Sequence, residues 1–227
     1  MRQLALGVKL RDGATFDSFI AGANAELIAC LHGGDAKHVW LWGGRASGKT
    51  HLLQAVCAAA GGSAAYFPLG AAGLPPEALA GFETAGVLCL DDVDAVAGDP
   101  AWERALFALF NACTDLGTRL ILAASAAPRS LAWVLDDWRS RAASCVVYQV
   151  RELDEAGRLE ALRHRAMRRG LELPSETAAY LLKRTPRDLA SLLDLLDALD
   201  EASLAAQRRL TVPFIRDALE KSASTRA

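Results

Sequence analysis

The chain has 227 residues, room for one large domain or a medium domain plus a small one. Apolar residues make up 52%, enough to bury a real core. A formal net charge of −2 argues against a dedicated nucleic-acid-binding domain, which would carry a basic excess, and leaves only a local basic patch open.

In chain order, residues 1–15 read as extended or loose. A helix is expected from about Asn24 to Leu31. "KHVWLWGG" is a short apolar run closed by glycines, a buried strand. "KTHLLQAVCAAAGG" reads as a helix stopped by Gly61-Gly62, "SAAYFPL" as a strand, and "PPEALAGFE" as a short helix with prolines at its start. "AGVLCLDDVD" is a buried strand ending in acids, "PAWERALFALFNACTDLG" a helix stopped by Gly117, and "TRLILAAS" another buried strand. "LAWVLDDWRSRAA" is expected to be helical, and "SCVVYQV" a strand.

Apolar strands alternating with helices predict an α/β fold, a five-stranded parallel sheet with helices on both faces. After Val150 the pattern holds only helices: "DEAGRLEALRHRAMRRG", "PSETAAYLLKRT", "PRDLASLLDLLDALDEASLAAQ" and "TVPFIRDALEK". The third carries Leu189, Leu192, Leu193, Leu196 and Leu199 at helical spacing, with Asp194, Asp197 and Asp200 on other faces. Thr211 is the expected N-cap of the fourth. The expected organisation is a tail over 1–15, an α/β domain over 16–150 and a small helical domain over 151–227.

Five cysteines, Cys30, Cys57, Cys89, Cys113 and Cys145, form no CxxC pair and sit among apolar residues, so they read as buried free thiols in a reducing compartment. No signal-type start and no apolar run near the roughly 20 residues of a membrane span point to a cytoplasmic chain. His32, His38 and His164 lack metal-ligand spacing, and His51 reads as structural.

The strand "HVWLW" runs into "GGRASGKT", matching G-x-x-x-x-G-K-[ST] from Gly43 to Thr50. Glycines, here Gly43, Gly44 and Gly48, let the backbone wrap a phosphate with its N–H groups inward, beside Ser47. Lys49 would reach the β- and γ-phosphates, Thr50 would offer a hydroxyl to Mg²⁺, and the following helix places its positive end at the anion. "VLCLDDVD" is the partner such a loop needs: Asp91 to hold Mg²⁺ through water, and Asp92 to orient the attacking water. Ser125 ends the next strand, at a position that either senses the γ-phosphate or simply closes the strand.

With "GGRASGKTHLL", "LCLDDVD", "WRSRAA" and "RTPRDLASLL" in place, the chain resembles the AAA+ ATPases, and within them the DnaA clade. Its two ends most resemble the Hda family of DnaA regulatory inactivators, whose members begin with a Gln-Leu-x-Leu motif that binds the β sliding clamp. Gln3, Leu4 and Leu6 occupy that motif, although Gly7 and Val8 after it are less apolar than is usual. The resemblance implies an AAA+ core with a helical lid and ADP or ATP with Mg²⁺ as ligands. Arg141 is implied as an arginine finger acting in trans, Arg187 as the lid arginine at the nucleotide, and Phe16, Phe19, Gly22 and Asn24 as a segment lining the adenine pocket. The two phenylalanines serve equally as core. Ala142 and Ala143 depart from the bulkier residues that usually follow the finger.

The implied function is a nucleotide-dependent regulator of replication initiation. It docks on the DNA-loaded clamp and stimulates ATP hydrolysis by DnaA, with weak or partner-dependent ATPase activity of its own. A homodimer stays open, and self-association through Arg141 would compete with the DnaA contact; no sequence-specific DNA contact and no membrane partner are expected. The alternative is a standalone AAA+ ATPase, such as a helicase loader or transposition helper. A small-molecule P-loop kinase suits the all-helical second domain less well.

Overall fold

Five apolar runs become strands: β1 (His38–Trp42), β2 (Ala64–Pro68), β3 (Val87–Asp91), β4 (Arg119–Ala124) and β5 (Val146–Gln149). They form one sheet in the order β2-β3-β4-β1-β5, and every neighbouring pair is parallel. The register sets Trp42 beside Ala124 and Gln149, and Pro68 beside Asp91. β3 is buried at every position, as expected of a parallel strand covered on both faces. The computed structural model describes residues 14–184, 189–206 and 210–217. The chain divides between Glu152 and Leu153 into two units, each with its own core.

Strand alternation sorts the first unit into two layers. Val39, Leu41, Cys89, Ile121 and Ala123 face one side, packed against α1 (Ala25–Gly33) and α2 (Lys49–Ala60). Trp40, Leu88, Leu90, Leu120 and Leu122 face the other, against α3 (Pro100–Leu116) and α4 (Asp136–Ala143). Local signals set the helix ends. Asp99 accepts N–H bonds from Ala101 at 2.8 Å and Trp102 at 3.3 Å, Pro100 opens the first turn of α3, and Gly117 closes it at φ 76°.

Two elements differ from the sequence expectation. "PPEALAGFE" forms two 3-10 turns, Pro76–Leu79 and Phe82–Thr84, separated by Gly81 at φ 93°. The helix expected from Leu131 starts only at Asp136. Its would-be first turn is pulled out by Glu103, a fully buried residue of α3. The Glu103 carboxylate accepts N–H bonds from Gly98 at 2.9 Å, Val134 at 3.0 Å and Leu135 at 2.7 Å. A buried carboxylate needs such donors, and here they are backbone groups a helix would have used otherwise.

The second unit contains α5 (Glu155–Arg168), α6 (Ser175–Arg184), α7 (Leu189–Ala206) and a helical turn over 212–217. Leu162, Leu181, Leu192, Leu196, Leu199 and Ile215 form its core. Asp197 and Asp200 turn toward α5. Arg165 bonds Asp197 at 2.6 Å, and Arg169 bonds Asp197 at 2.8 Å and Asp200 at 2.7 Å. Among the described residues no helix is long and apolar enough to cross a membrane.

Burial alone would push the Asp197 carboxyl up, but Arg165 and Arg169 outweigh it and hold the group below the usual carboxylate range. The pair therefore stabilises the fold fully above the unfolded Asp value of about 4, and that contribution fades as pH falls below it. Asp197→Asn is expected to cost about 1 kcal/mol at neutral pH, discounted for solvent screening, and to flatten the acid limb of stability. Far-UV circular dichroism of urea unfolding at pH 3 and pH 7 measures this. All five tryptophans lie before residue 153, so their fluorescence follows the first unit separately.

Candidate functional site

The β1–α2 loop is crowded by one backbone carbonyl and two side chains. A Cβ on Gly43 would lie 2.6 Å from the Val150 carbonyl oxygen, one on Gly44 2.7 Å from Glu152 Oε1, and one on Gly48 2.7 Å from the Phe19 ring. Ala46 at φ 62° and Gly48 at φ 102° bend the loop into the concave form that presents backbone N–H groups to an anion. Ser47 Oγ is buried without a hydrogen-bond partner among the described residues. Lys49 Nζ donates to the Gly43 and Gly44 carbonyls, both at 2.9 Å. Thr50 lies exposed in the first turn of α2. A crowded glycine turn, an unpartnered hydroxyl and a helix N-terminus fit a polyphosphate.

The segment before α1 flanks this loop. Phe19 packs on Gly48 and on the His51 ring at 5.4 Å, and Phe16 packs on His32 at 5.3 Å. His51 Nε2 lies 3.0 Å from the Thr15 carbonyl oxygen and 3.1 Å from Ser18 Oγ, tying the segment to α2. Gly22 opens the 3-10 turn that ends at Asn24. Asn24 is buried with its amide committed to the backbone of Arg151, accepting at 2.8 Å and donating at 2.9 Å.

Across the sheet edge, Asp91 ends β3 fully buried. Its Oδ2 accepts the Tyr66 hydroxyl at 2.8 Å, and its Oδ1 accepts the Asp92 N–H at 3.1 Å. Burial, then Asp91 itself, push the Tyr66 phenol far above its usual range, so it remains a protonated donor. Asp92 is left-handed at φ 53° and more exposed. Lost hydration, then Asp91 and Asp94, push its carboxyl above the usual value, against the pull of Lys49. Ser125 is exposed at the end of β4, and its hydroxyl donates to the Asp94 carboxylate, which also accepts the Ser125 N–H at 3.1 Å.

The P-loop residues, Asp91, Asp92 and Ser125 thus share the C-terminal ends of β1, β3 and β4. Arg141 is apart from them, on α4 at the opposite sheet face, with its guanidinium 5.9 Å from the Phe107 ring centre and 6.0 Å from that of Phe110. Arg139 pairs with Asp136 at 2.6 Å. Arg187, Gln3, Leu4 and Leu6 lie outside the described residues. Tyr66, Asp94 and Glu103 escape sequence reasoning, because each contact joins elements whose register only the fold sets. Among the described residues, no three His, Cys, Asp or Glu side chains gather to hold a metal.

The parallel sheet with this loop and paired strand-end acids is that of a P-loop protein of the AAA+ class. Residues 154–219 match the family model of the Hda lid domain. The fold is similar to that of domain III of the replication initiation protein DnaA from Thermotoga maritima, with TM-score 0.77 and 21% identity, covering 92% of this chain and 96% of that one. AMPPCP-bound DnaA from Aquifex aeolicus is 26% identical, with TM-score 0.66, over 81% of this chain and 64% of its own. The Thermotoga maritima RuvB Holliday junction branch migration motor shares the fold at TM-score 0.70 and 18% identity, over 93% of this chain and 72% of that one. The chain thus has the AAA+ fold seen in DnaA domain III, and its second unit matches the lid of the Hda family.

The crowding at Gly43 is directly testable. Gly43→Ala forces the loop away from Val150 and is expected to lower stability by about 1–3 kcal/mol without any ligand. Gly62→Ala, where a Cβ meets nothing within 4 Å, is expected to leave it unchanged. Urea midpoints of the two variants against wild type measure the difference.

Proposed function

We propose that this chain is a nucleotide-dependent regulator of DNA replication initiation: it binds ADP or ATP with Mg²⁺, docks on the β sliding clamp and stimulates ATP hydrolysis by DnaA. The observation that carries the reading is a P-loop core joined in one chain to a lid matching that of Hda. The nucleotide is supported by the loop geometry and by the AMPPCP bound to the Aquifex protein.

In this reading Gly43, Gly44, Ser47 and Gly48 cradle phosphate oxygens, and Lys49 exchanges its two carbonyl partners for them. Thr50 would offer its hydroxyl to Mg²⁺, Asp91 would hold the ion through water, and Arg187 would be the lid arginine at the nucleotide. Bound Mg²⁺ would neutralise phosphate charge. Asp92 would orient the attacking water and Ser125 would sense the γ-phosphate, with Asp94 fixing the orientation of Ser125.

Arg141 is the finger offered to the ATP held by DnaA. It has no carboxylate partner among the described residues and rests on an aromatic platform, whereas Arg139 is already committed to Asp136. Its placement on the face opposite α2 suits action on a neighbour's nucleotide. Gln3 would bond in a clamp pocket whose apolar part Leu4 and Leu6 fill.

The test is hydrolysis of DnaA-bound ATP with clamp loaded on DNA. The wild-type chain is expected to accelerate it, and Arg141→Ala to lose that gain by roughly 10³-fold while keeping nucleotide and clamp binding. Gln3→Ala is expected to abolish clamp binding. An unchanged rate with Arg141→Ala overturns the finger assignment. DNA-stimulated hydrolysis needing neither clamp nor DnaA would favour the standalone ATPase.

A further inference from the structure

We infer that Tyr66 is a positioning residue for the magnesium-side carboxylate, holding Asp91 from the neighbouring strand. The inference rests on the proposed Mg²⁺–nucleotide reading of the loop and Asp91.

Asp91 is 1% exposed, and the described residues bring it no cationic partner. An anion at that depth is costly unless donors replace its water. Among the described residues two reach it: the Asp92 N–H on Oδ1 at 3.1 Å and the Tyr66 hydroxyl on Oδ2 at 2.8 Å. The first comes from the next residue in the chain. The second is the only side-chain donor to Asp91 among the described residues, and it arrives from β2.

Register explains the reach. Tyr66 pairs with Cys89, two residues short of Asp91, and alternation puts Tyr66, Cys89 and Asp91 on the α2 side of the sheet. The ring spans the remaining distance along the strand. The strand ends are locked by the Leu69 N–H on the Asp91 carbonyl at 2.9 Å, so ring and carboxylate cannot drift apart. With one donor on each oxygen, rotation of the carboxylate is fixed before any ligand arrives. Hydrogen-bond partners behind metal ligands typically carry roughly 10–100-fold in metal affinity, and a carboxylate that holds the ion through water takes the lower end of that range.

The experiment is calorimetric titration of the full chain with ADP across a series of Mg²⁺ concentrations, beside melting curves without nucleotide. Tyr66→Phe keeps the ring and removes only the donor. It is expected to leave Mg²⁺-free ADP affinity within about two-fold and to raise the Mg²⁺ concentration at half-enhancement by roughly ten-fold. A lower melting temperature with an unshifted Mg²⁺ midpoint would show a purely structural hydroxyl and overturn the assignment. Should Tyr66→Phe not fold, 3-fluorotyrosine at 66 preserves ring and hydroxyl but changes donor strength. A shifted midpoint then supports the role, and an unshifted one overturns it. Wild-type ADP binding without Mg²⁺ dependence, or no binding, overturns the parent reading instead.

Discussion

The crowding of the loop at the end of β1 by the Val150 carbonyl and the Phe19 ring is the constraint from which the nucleotide-side end of the sheet follows. β1 lies between β4 and β5, and the chain leaving β5 stays paired with it through the Val150 N–H on the Trp42 carbonyl at 2.7 Å. That pairing brings the Val150 carbonyl to where a Gly43 side chain would begin. From the other side Phe19 closes on Gly48, and Asn24 fastens that segment to Arg151. A loop squeezed from both flanks has to be glycine-rich whatever it binds, and the unfolded chain's extra freedom at those glycines is a standing cost. The gain is a concave backbone held in shape by packing, so the loop is ordered before a ligand arrives.

Two acids are buried in the first unit, and neither is neutralised by a cation among the described residues. Asp91 is met by a phenol and a backbone N–H, Glu103 by three backbone N–H groups. Donors of this kind are directional, so each carboxylate fixes the geometry of its surroundings as well as being solvated by them. Glu103 decides where α4 begins by holding Val134 and Leu135 out of the helix, and α4 carries Arg141 about one and a half turns later. The aromatic cluster behind it, Trp40, Trp133 and Trp138, packs edge to face and backs the same helix. The position of Arg141 is therefore set from α3, through a residue with no contact to it.

Much of this was legible in the sequence because the signals are local. The five strands are short apolar runs bounded by breakers, and Asp99-Pro100 and Gly117 mark both ends of α3 without reference to anything else. The P-loop is legible because its spacing is dictated by the phosphate it fits. What the sequence hides depends on distant partners. Leu131–Leu135 has helical periodicity, and only Glu103, some thirty residues earlier, overrides it. Asp197 and Asp200 look like a solvated face until α5 is laid beside them with Arg165 and Arg169 at matching heights. Tyr66 reads as one more strand aromatic, since its partner, 25 residues on, is fixed by the register between β2 and β3.

The acidic run "DDVD" shows how one residue type is divided among tasks by backbone conformation alone. Asp91 is still in the strand, so its side chain follows the pleat onto the α2 face and is buried. One residue on, a continued strand would send the next acid to the opposite face, into the layer of Trp40 and Leu90. The left-handed turn at Asp92 prevents that, and aspartate is among the few residues that adopt it without a large penalty. The chain then enters the 3-10 turn Val93–Val96, with Val93 and Val96 buried as anchors and Asp94 left free to cross to Ser125 on β4. Three carboxylates within four residues would repel one another strongly if they shared a face. Separated in this way, one is held by donors, one stays near water with a raised affinity for protons, and one ties two strand ends together. Only the middle acid is left without a fixed partner of its own, and that availability is what the proposed role at the γ-phosphate requires.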